Sequence, residues 1–156
     1  MKVKVSQLKH HPLNERIYSL SGIESLMESI QQVGLLEPPT VNQFFEVVSG
    51  NRRFESIKRL GWKQIDVHQI NVKKGDEVLT LIHFNRQRIK TTQELLNEYF
   101  ELESYHRKKG VGKGVRIRGI VSDEIKVTDG QLARIIYIHK RNPEFIKLID
   151  QGILSI

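Results

Sequence analysis

Apolar residues recur with two different periods near the start of the chain. Residues Lys2 to Leu8 alternate between apolar and polar positions, which predicts a short strand. The polar segment His10 to Arg16 contains Pro and Asn and predicts a loop. A helical period then begins after Ser21, which forms an S-x-x-E capping box with Glu24, and ends at Gly34. The apolar positions of this predicted helix are Ile23, Leu26, Met27, Ile30 and Val33.

The next segment predicts a hairpin followed by a helix. Strands are expected around Thr40 to Asn42 and from Phe44 to Val48. The helix starts after Gly50 and ends at Gly61, with apolar positions at Phe54, Ile57 and Leu60. A further strand, Ile65 to Val72, and a helical segment beginning with Gly75 to Leu81 complete a region that mixes strands and helices.

The pattern becomes purely helical from Thr91 onward. Thr91 and Glu94 form a second capping box, and a short helix from Ile120 to Ile125 is followed by a cap-like start at Thr128. Pro143 begins a last helix that stops at Gly152. Between these helices, Arg107 to Arg118 is rich in Gly and cations and predicts a connector. The end, Ile153 to Ile156, resembles the beginning of another element, so a C-terminal portion is expected to be missing.

Composition narrows the classes of function. The 156 residues carry 25 Lys and Arg against 18 Asp and Glu, and the net charge of +7 favours a polyanionic partner. The absence of Cys excludes disulfides, a thiol nucleophile and Cys-based metal sites. The six His residues lack the HExxH spacing of a zinc site, so neither a metal site nor a catalytic residue is assigned. With no apolar run near the roughly 18 residues of a membrane span, we expect a cytoplasmic protein with no membrane partner.

Residues 44 to 57 combine the features of an anion-binding turn. A strand leads to Gly50, and the following helix opens with Arg52 and Arg53. A helix N-terminus presents unpaired N–H groups and a positive dipole end, Gly permits close approach of the backbone, and Arg offers a planar fork to phosphate oxygens. The segment therefore indicates a phosphate site, although an ordinary strand-to-helix turn with solvated arginines would have the same pattern.

The two short helices around Val127 fit a helix-turn-helix. In that geometry the start of the second helix, namely Thr128, Asp129 and Gln131, would face base edges. Cations farther along the second helix, Arg134, Lys140 and Arg141, would contact the DNA backbone. The connector cations Arg116 and Arg118 could do the same. A plain helical bundle remains an alternative on periodicity alone.

Five ordered motifs resemble the ParB family of chromosome and plasmid partition proteins. Leu26 to Ile30 followed by Val33 to Pro38 is similar to the family's helix and "GLLQP" turn. Ser49 to Ser56 is similar to its "GERRxRA" box, and Phe84 to Arg88 to its "ENLQR" box. Arg118 to Ile135 resembles its helix-turn-helix, and Asn142 to Gly152 its "NPE…IDKG" helix. The order of these matches extends over nearly the whole chain.

The resemblance implies an α+β ParB/sulfiredoxin-like domain with a small mixed sheet at residues 1–90, followed by an all-α helix-turn-helix domain at 91–156. The first would bind CTP and the second double-stranded DNA, in a homodimer associated with the nucleoid or a plasmid and served by a partition ATPase. The resemblance assigns the phosphates to Gly50, Asn51, Arg52, Arg53, Asn85, Arg88 and Arg16. It assigns the nucleotide base to Pro38, Pro39 and Thr40.

Three departures from the family pattern qualify these expectations. Asn51 replaces the Glu of "GERR", which also excludes the Cys-dependent chemistry of sulfiredoxins. Phe84 replaces the acidic residue of "ENLQR" and cannot ligate Mg²⁺, so CTP hydrolysis is expected to be slow or absent. Lys126 replaces the turn glycine of the helix-turn-helix. The alternatives are a DNA-binding regulator of a mobile element that has lost nucleotide binding, and a ParB-like nuclease.

Overall fold

The structure is a computed structural model that describes residues 1–112 and 114–156. The chain divides into two compact units, Met1–Phe84 and Asn85–Ile156. The predicted boundary, between Lys90 and Thr91, falls slightly later in the sequence. The assignment of a separate function to each part stays a prediction.

The first unit mixes short strands with helices. Its strands are β1 (Lys2–Lys4), β2 (Lys9–His10), β3 (Thr40–Val41), β4 (Glu46–Ser49), β5 (Gln64–Asp66) and β6 (His68–Gln69). Its helices are α1 (Pro12–Ile17), α2 (Ile23–Val33), α3 (Asn51–Arg59) and α4 (Glu77–Phe84), with a single 3-10 turn at Val5–Gln7. This is the small mixed α+β arrangement that the sequence predicts.

Two sheets organise this unit. β1 pairs antiparallel with β5, and the other strands form a sheet in the order β2-β4-β3-β6. β3 and β4 make the predicted antiparallel hairpin, while β2 runs parallel to β4 and β6 parallel to β3. The core between sheet and helices contains Val3, Val5, Leu8, Ile30, Val41, Val47, Phe54, Ile57, Ile65 and Val67.

Four local predictions in this unit are wrong in detail. The first strand ends at Lys4, and the predicted loop after it contains α1, whose N-cap is the His11 side chain. Ser21 does not cap α2, because the N-cap is Gly22 in the left-handed conformation at φ 69°. The predicted strand Ile65 to Val72 is divided into β5 and β6, which join different sheets. Sequence period cannot show such a change of sheet, because it depends on long-range pairing.

The second unit is helical. It consists of α5 (Thr92–Lys108), α6 (Ile117–Ile125), α7 (Asp129–Arg141) and α8 (Glu144–Asp150). The predicted capping box is confirmed: Thr91 accepts a hydrogen bond from the Glu94 N–H, and the Glu94 carboxylate accepts one from the Thr91 N–H. The buried apolar side chains of the four helices are Leu96, Tyr99, Leu102, Ile117, Val121, Ile125, Leu132, Ile135, Ile136 and Ile146.

The predicted connector is shorter than its sequence suggests. α5 continues to Lys108 and α6 already begins at Ile117, earlier than the predicted Ile120. Lys113, which the sequence places within this connector, lies outside the described residues. Lys126 ends α6 in the left-handed conformation at φ 61°, the geometry that a turn glycine would adopt. Holding a residue with a side chain there costs roughly 1–2 kcal/mol.

Candidate functional site

The start of α3 forms the strand-to-helix turn in which the sequence predicts a phosphate site. β4 ends at Ser49, and Gly50 is the N-cap of α3 with φ 87°, a conformation that favours glycine. The Gly50 carbonyl accepts the first helical hydrogen bond from the Phe54 N–H. The N–H groups at the first three helical positions therefore have no carbonyl partner within α3 and remain oriented toward its N-terminus.

The turn is closely packed against Pro39. A Cβ atom added at Gly50 would lie 3.1 Å from both Cα and Cβ of Pro39 and 3.2 Å from Nε of Arg53. The segment Pro38 to Thr40, which the sequence assigns to the nucleotide base, is thus adjacent to the turn assigned to the phosphates. The structure brings these two predicted parts together within one unit.

The two arginines have different environments. Arg52 Nη2 donates to the Gly22 carbonyl at 3.1 Å, whereas its buried Nε has no hydrogen-bond partner in the described part of the chain. Arg53 Nη1 donates to both the carbonyl and a carboxylate oxygen of Glu37, each at 2.6 Å. The Glu37 side chain is 78% exposed, so water screens this pair and an incoming anion can compete for the guanidinium. Neither Gly22 nor Glu37 was identified from the sequence.

The side chain of Asn51 is engaged in the interior and does not face the turn. Its Nδ2 donates to the Val47 carbonyl at 3.2 Å, and its Oδ1 lies 2.7 Å from Nδ1 of His10. His10 also places Nε2 3.2 Å from the Glu55 carboxylate. Any phosphate contact of Asn51 would therefore use its backbone N–H. The role of His10 had no signal in the sequence, because it depends on β2 lying beside β4.

The remaining residues assigned to the phosphates lie elsewhere in the chain. Arg16 is exposed on α1. Asn85 and Arg88 belong to the second unit, where Arg88 Nη2 donates to Glu94 at 2.7 Å. Their approach to the bound nucleotide stays a prediction.

Some of the residues assigned to DNA lie at or beside the start of α7. Thr128 is the N-cap, and its Oγ1 accepts from the Gln131 N–H at 3.1 Å. Asp129 binds Arg118 in a bidentate pair, with distances of 2.7 Å to Nε and 2.9 Å to Nη2. Hydrogen bonds from Arg118 lower the pKa of the Asp129 carboxyl, although partial desolvation opposes this effect. Asp129 therefore stays ionised near neutral pH.

The outer side of α7 carries the other assigned cations. Arg134, Lys140 and Arg141 are exposed, and the Arg141 guanidinium lies 5.2 Å from the ring centroid of Tyr137. Tyr137, which is 61% exposed, was not identified from the sequence. It lines a shallow groove of about 500 Å³ together with Ala133, Ile136, Ile138 and the cations Arg118, Arg134 and Lys140.

Two further properties concern metals and membranes. The residues that the structure describes contain no group of three or more His, Asp or Glu side chains placed to hold a metal ion. Among the same residues, no helix combines the length and apolar character needed to cross a bilayer.

Comparison with known proteins identifies the class to which this fold and turn belong. The family model for the ParB N-terminal domain matches residues 1–84, and the chain belongs to this family. A probable chromosome-partitioning protein ParB from Campylobacter jejuni is 27% identical over 111 residues, or 67% of this chain and 40% of that protein. A nucleoid occlusion protein from a Geobacillus strain is 26% identical over 112 residues, with the same coverage. The chain thus spans about 40% of the length of these relatives.

Solved structures share the fold. A Pnob8-like ParB N-domain has a TM-score of 0.72 at 11% identity and covers 99% of this chain and 75% of its own. Truncated ParB from Caulobacter crescentus bound to the centromeric parS site has a TM-score of 0.64 at 17% identity, covering 99% and 80%. The same protein with CTP-gamma-S has a TM-score of 0.50 at 18% identity, covering 99% and 86%.

Proposed function

We propose that this chain is a ParB-like DNA-binding protein of chromosome or plasmid partition, with a CTP-type nucleotide switch in its first unit. The observation that carries the nucleotide part is the left-handed Gly50 turn, closed by Pro39 and followed by Arg52 and Arg53 at the start of α3. One solved structure of Caulobacter crescentus ParB is a complex with CTP-gamma-S, and another is a complex with parS DNA.

The residues of the turn fit a triphosphate. Helical N–H groups and the dipole of α3 attract an anion, and the buried Arg52 Nε has a hydrogen to donate. Arg53 would exchange the exposed Glu37 carboxylate for a phosphate oxygen. Pro38 to Thr40 would contact the base, while Arg16, Asn85 and Arg88 would approach the phosphates.

Nucleotide titration of the wild-type protein and of two Arg variants tests this proposal. CTP, ATP and GTP are titrated with and without Mg²⁺, and CTP is expected to bind most tightly. Arg52→Ala and Arg53→Ala should each weaken CTP binding by about 1.5–3 kcal/mol, the typical worth of a charge-assisted hydrogen bond. Arg59→Ala removes the same charge from the other end of α3, where Arg59 pairs with Glu55, and should leave CTP affinity almost unchanged. If all three variants bind CTP as tightly as the wild-type protein, the proposed phosphate site at this turn is wrong.

A role for Mg²⁺ has less support than nucleotide binding. Phe84 is 45% exposed and offers no oxygen where the family has an acid, so the triphosphate and water would supply the ligands. We therefore propose that hydrolysis is slow or absent. Phe84→Glu should increase the Mg²⁺ dependence of CTP binding, because it restores a hard anionic ligand.

The second unit is proposed to bind double-stranded DNA through a helix-turn-helix formed by α6 and α7. The short turn from Lys126 to Thr128 supports this assignment, as does the array of exposed cations on α7. Thr128 and Gln131 would face base edges and Arg134, Lys140 and Arg141 the phosphates. Homodimer formation and contact with a partition ATPase belong to the same proposal.

A DNA-binding regulator that has lost nucleotide binding is the second candidate. It is favoured by the Arg53–Glu37 contact, which occupies one of the two arginines, and by Phe84. Duplex binding without measurable affinity for any nucleotide would establish it. Nuclease activity has less support, since the described residues provide no cluster of acids for a metal.

A further inference from the structure

The Arg118–Asp129 pair connects the starts of two helices. Arg118 is the second residue of α6, and Asp129 is the first residue of α7. Both oxygens of the carboxylate accept, Oδ1 from Nε at 2.7 Å and Oδ2 from Nη2 at 2.9 Å. Arg116 lies farther away, with Nη1 3.8 Å from Oδ2. Arg118 is therefore the principal partner of Asp129.

This pair uses only one edge of the guanidinium. An Arg side chain has five N–H donors, and Asp129 takes one from Nε and one from Nη2. The neighbouring edge, formed by Nη1 and the second hydrogen of Nη2, has no hydrogen-bond acceptor among the residues that the structure describes. The Arg118 and Asp129 side chains are 27% and 36% exposed, so the pair lies at the surface, and Arg118 also lines the groove beside Tyr137.

The same geometry argues against Asp129 as a reader of base edges. Its two oxygens already accept from Arg118, and DNA phosphates would repel its negative charge. A carboxylate at the front of α7 is unfavourable for DNA binding unless it acts through a cation.

We propose that Asp129 is a positioning residue: it holds the Arg118 guanidinium so that the free edge contacts DNA. The inference rests on the proposed DNA-binding function of the second unit, and it replaces the base-reading role that the sequence suggests for Asp129. A fork fixed in advance loses less side-chain freedom on binding than a mobile one.

The sign of one substitution separates positioning from simple electrostatics. Asp129→Ala removes a negative charge, so electrostatics alone predicts tighter DNA binding, whereas loss of positioning predicts weaker binding. Affinity of the full chain for a fluorescein-labelled duplex of mixed sequence is measured over a series of salt concentrations. We expect Asp129→Ala to weaken binding about 5- to 10-fold, within the range of a charge-assisted hydrogen bond. Asp123→Ala on α6 removes the same charge from an exposed site without an ion pair in the described residues, and should bind as tightly as wild type or slightly tighter.

A double-mutant cycle identifies the residue through which Asp129 acts. Arg118→Ala should lose a similar factor, and adding Asp129→Ala to it should cause no further loss. Arg118→Lys keeps the charge but not the fork, so it should also bind more weakly. Asp129→Asn keeps one acceptor oxygen and should retain part of the affinity. Melting temperatures of all variants show that each is folded at the temperature of the assay.

Two results would overturn the inference while leaving the proposed function intact. Tighter binding by Asp129→Ala would mean that the acid restrains Arg118, and a loss that persists in the Arg118→Ala background would mean that Asp129 contacts DNA itself. If the wild-type chain binds no duplex at any salt concentration, the proposed function itself fails and the inference with it.

Discussion

At the scale of single residues, position 50 requires glycine for two separate reasons. Its φ of 87° is unfavourable for any residue with a side chain, and a Cβ would come within 3.1 Å of Pro39. The first requirement concerns stability alone. The second concerns the space between the turn and the segment proposed to hold the nucleotide base.

Comparison with Gly61, which follows the C-cap of α3, separates these requirements. Gly61 also has a positive φ, at 73°, but a Cβ there would meet no atom within 4 Å among the described residues. Both Gly50→Ala and Gly61→Ala should lower the free energy of unfolding by about 1–2 kcal/mol. Only Gly50→Ala should also abolish CTP binding in a titration of the folded protein. Unchanged CTP affinity in Gly50→Ala would contradict the proposed site.

His11 gives the first unit a pH-dependent stability. Its Nδ1 accepts from the Leu13 N–H at 3.2 Å as the cap of α1, which requires that this nitrogen carry no proton. Burial lowers the pKa of His11, against the nearby carboxylates of Glu46 and Glu77, which raise it. Because the pKa is lower in the folded state, the unfolded chain binds more protons, so stability is complete above pH 6.5 and decreases as the pH falls through the folded value.

Asn at position 11 keeps a capping oxygen without a titrating group. His11→Asn should therefore flatten the dependence of the free energy of unfolding on pH below about pH 6.5. The exposed His68 on β6 provides the control, and His68→Asn should follow the wild-type curve. Urea denaturation at a series of pH values measures both. An unchanged slope in His11→Asn would assign the effect to another group.

At the scale of elements, α5 is held at its start by two separate caps. The Thr91–Glu94 capping box is local, but Asp150 at the end of α8 also accepts from the N–H groups of Thr92 and Gln93, at 2.6 and 3.0 Å. α5 also takes part in a buried ion pair, in which Nζ of Lys90, just before the helix, lies 2.8 Å from the Glu98 carboxylate. Asp150 thus connects the end of α8 to the start of α5.

Loss of the Asp150 cap should be measurable by denaturation. Asp150→Ala leaves two N–H groups at the N-terminus of α5 without their acceptor and should cost about 1–3 kcal/mol of stability. Glu144→Ala on the same helix removes a carboxylate whose partner, Lys147, is exposed, and should cost less than about 0.5 kcal/mol. Equal effects of the two substitutions would show that the cap adds nothing beyond a surface charge.

At the scale of the whole molecule, we expect the first unit to bind nucleotide and the second unit to bind DNA. Each has a buried core of its own, and residues 85–156 contain most of the excess positive charge. A fragment of residues 85–156 should be helical by circular dichroism and bind duplex DNA with an affinity that falls steeply with salt. A fragment of residues 1–84 should bind CTP, more weakly than the whole chain because it lacks Asn85 and Arg88, and should not bind duplex DNA. Equal duplex affinity of residues 1–84 and the whole chain would overturn this division.

The sequence alone determined the features that depend on neighbouring residues. The Gly50 turn, the Thr91 capping box and the hairpin of β3 and β4 were predicted because each needs only local residue types and spacing. The family membership followed from motifs of the same local kind, and it is confirmed by the match over residues 1–84.

Only the tertiary structure decided where side chains find distant partners. Asn51 is held inside by His10, Arg53 contacts Glu37, Arg52 donates to the Gly22 carbonyl and Asp129 holds Arg118. None of these has a fixed spacing, because each depends on which strand or helix folds beside which. Long-range packing selects among several partners that the local sequence allows equally, and here it fixed the environment of the residues proposed to bind nucleotide and DNA.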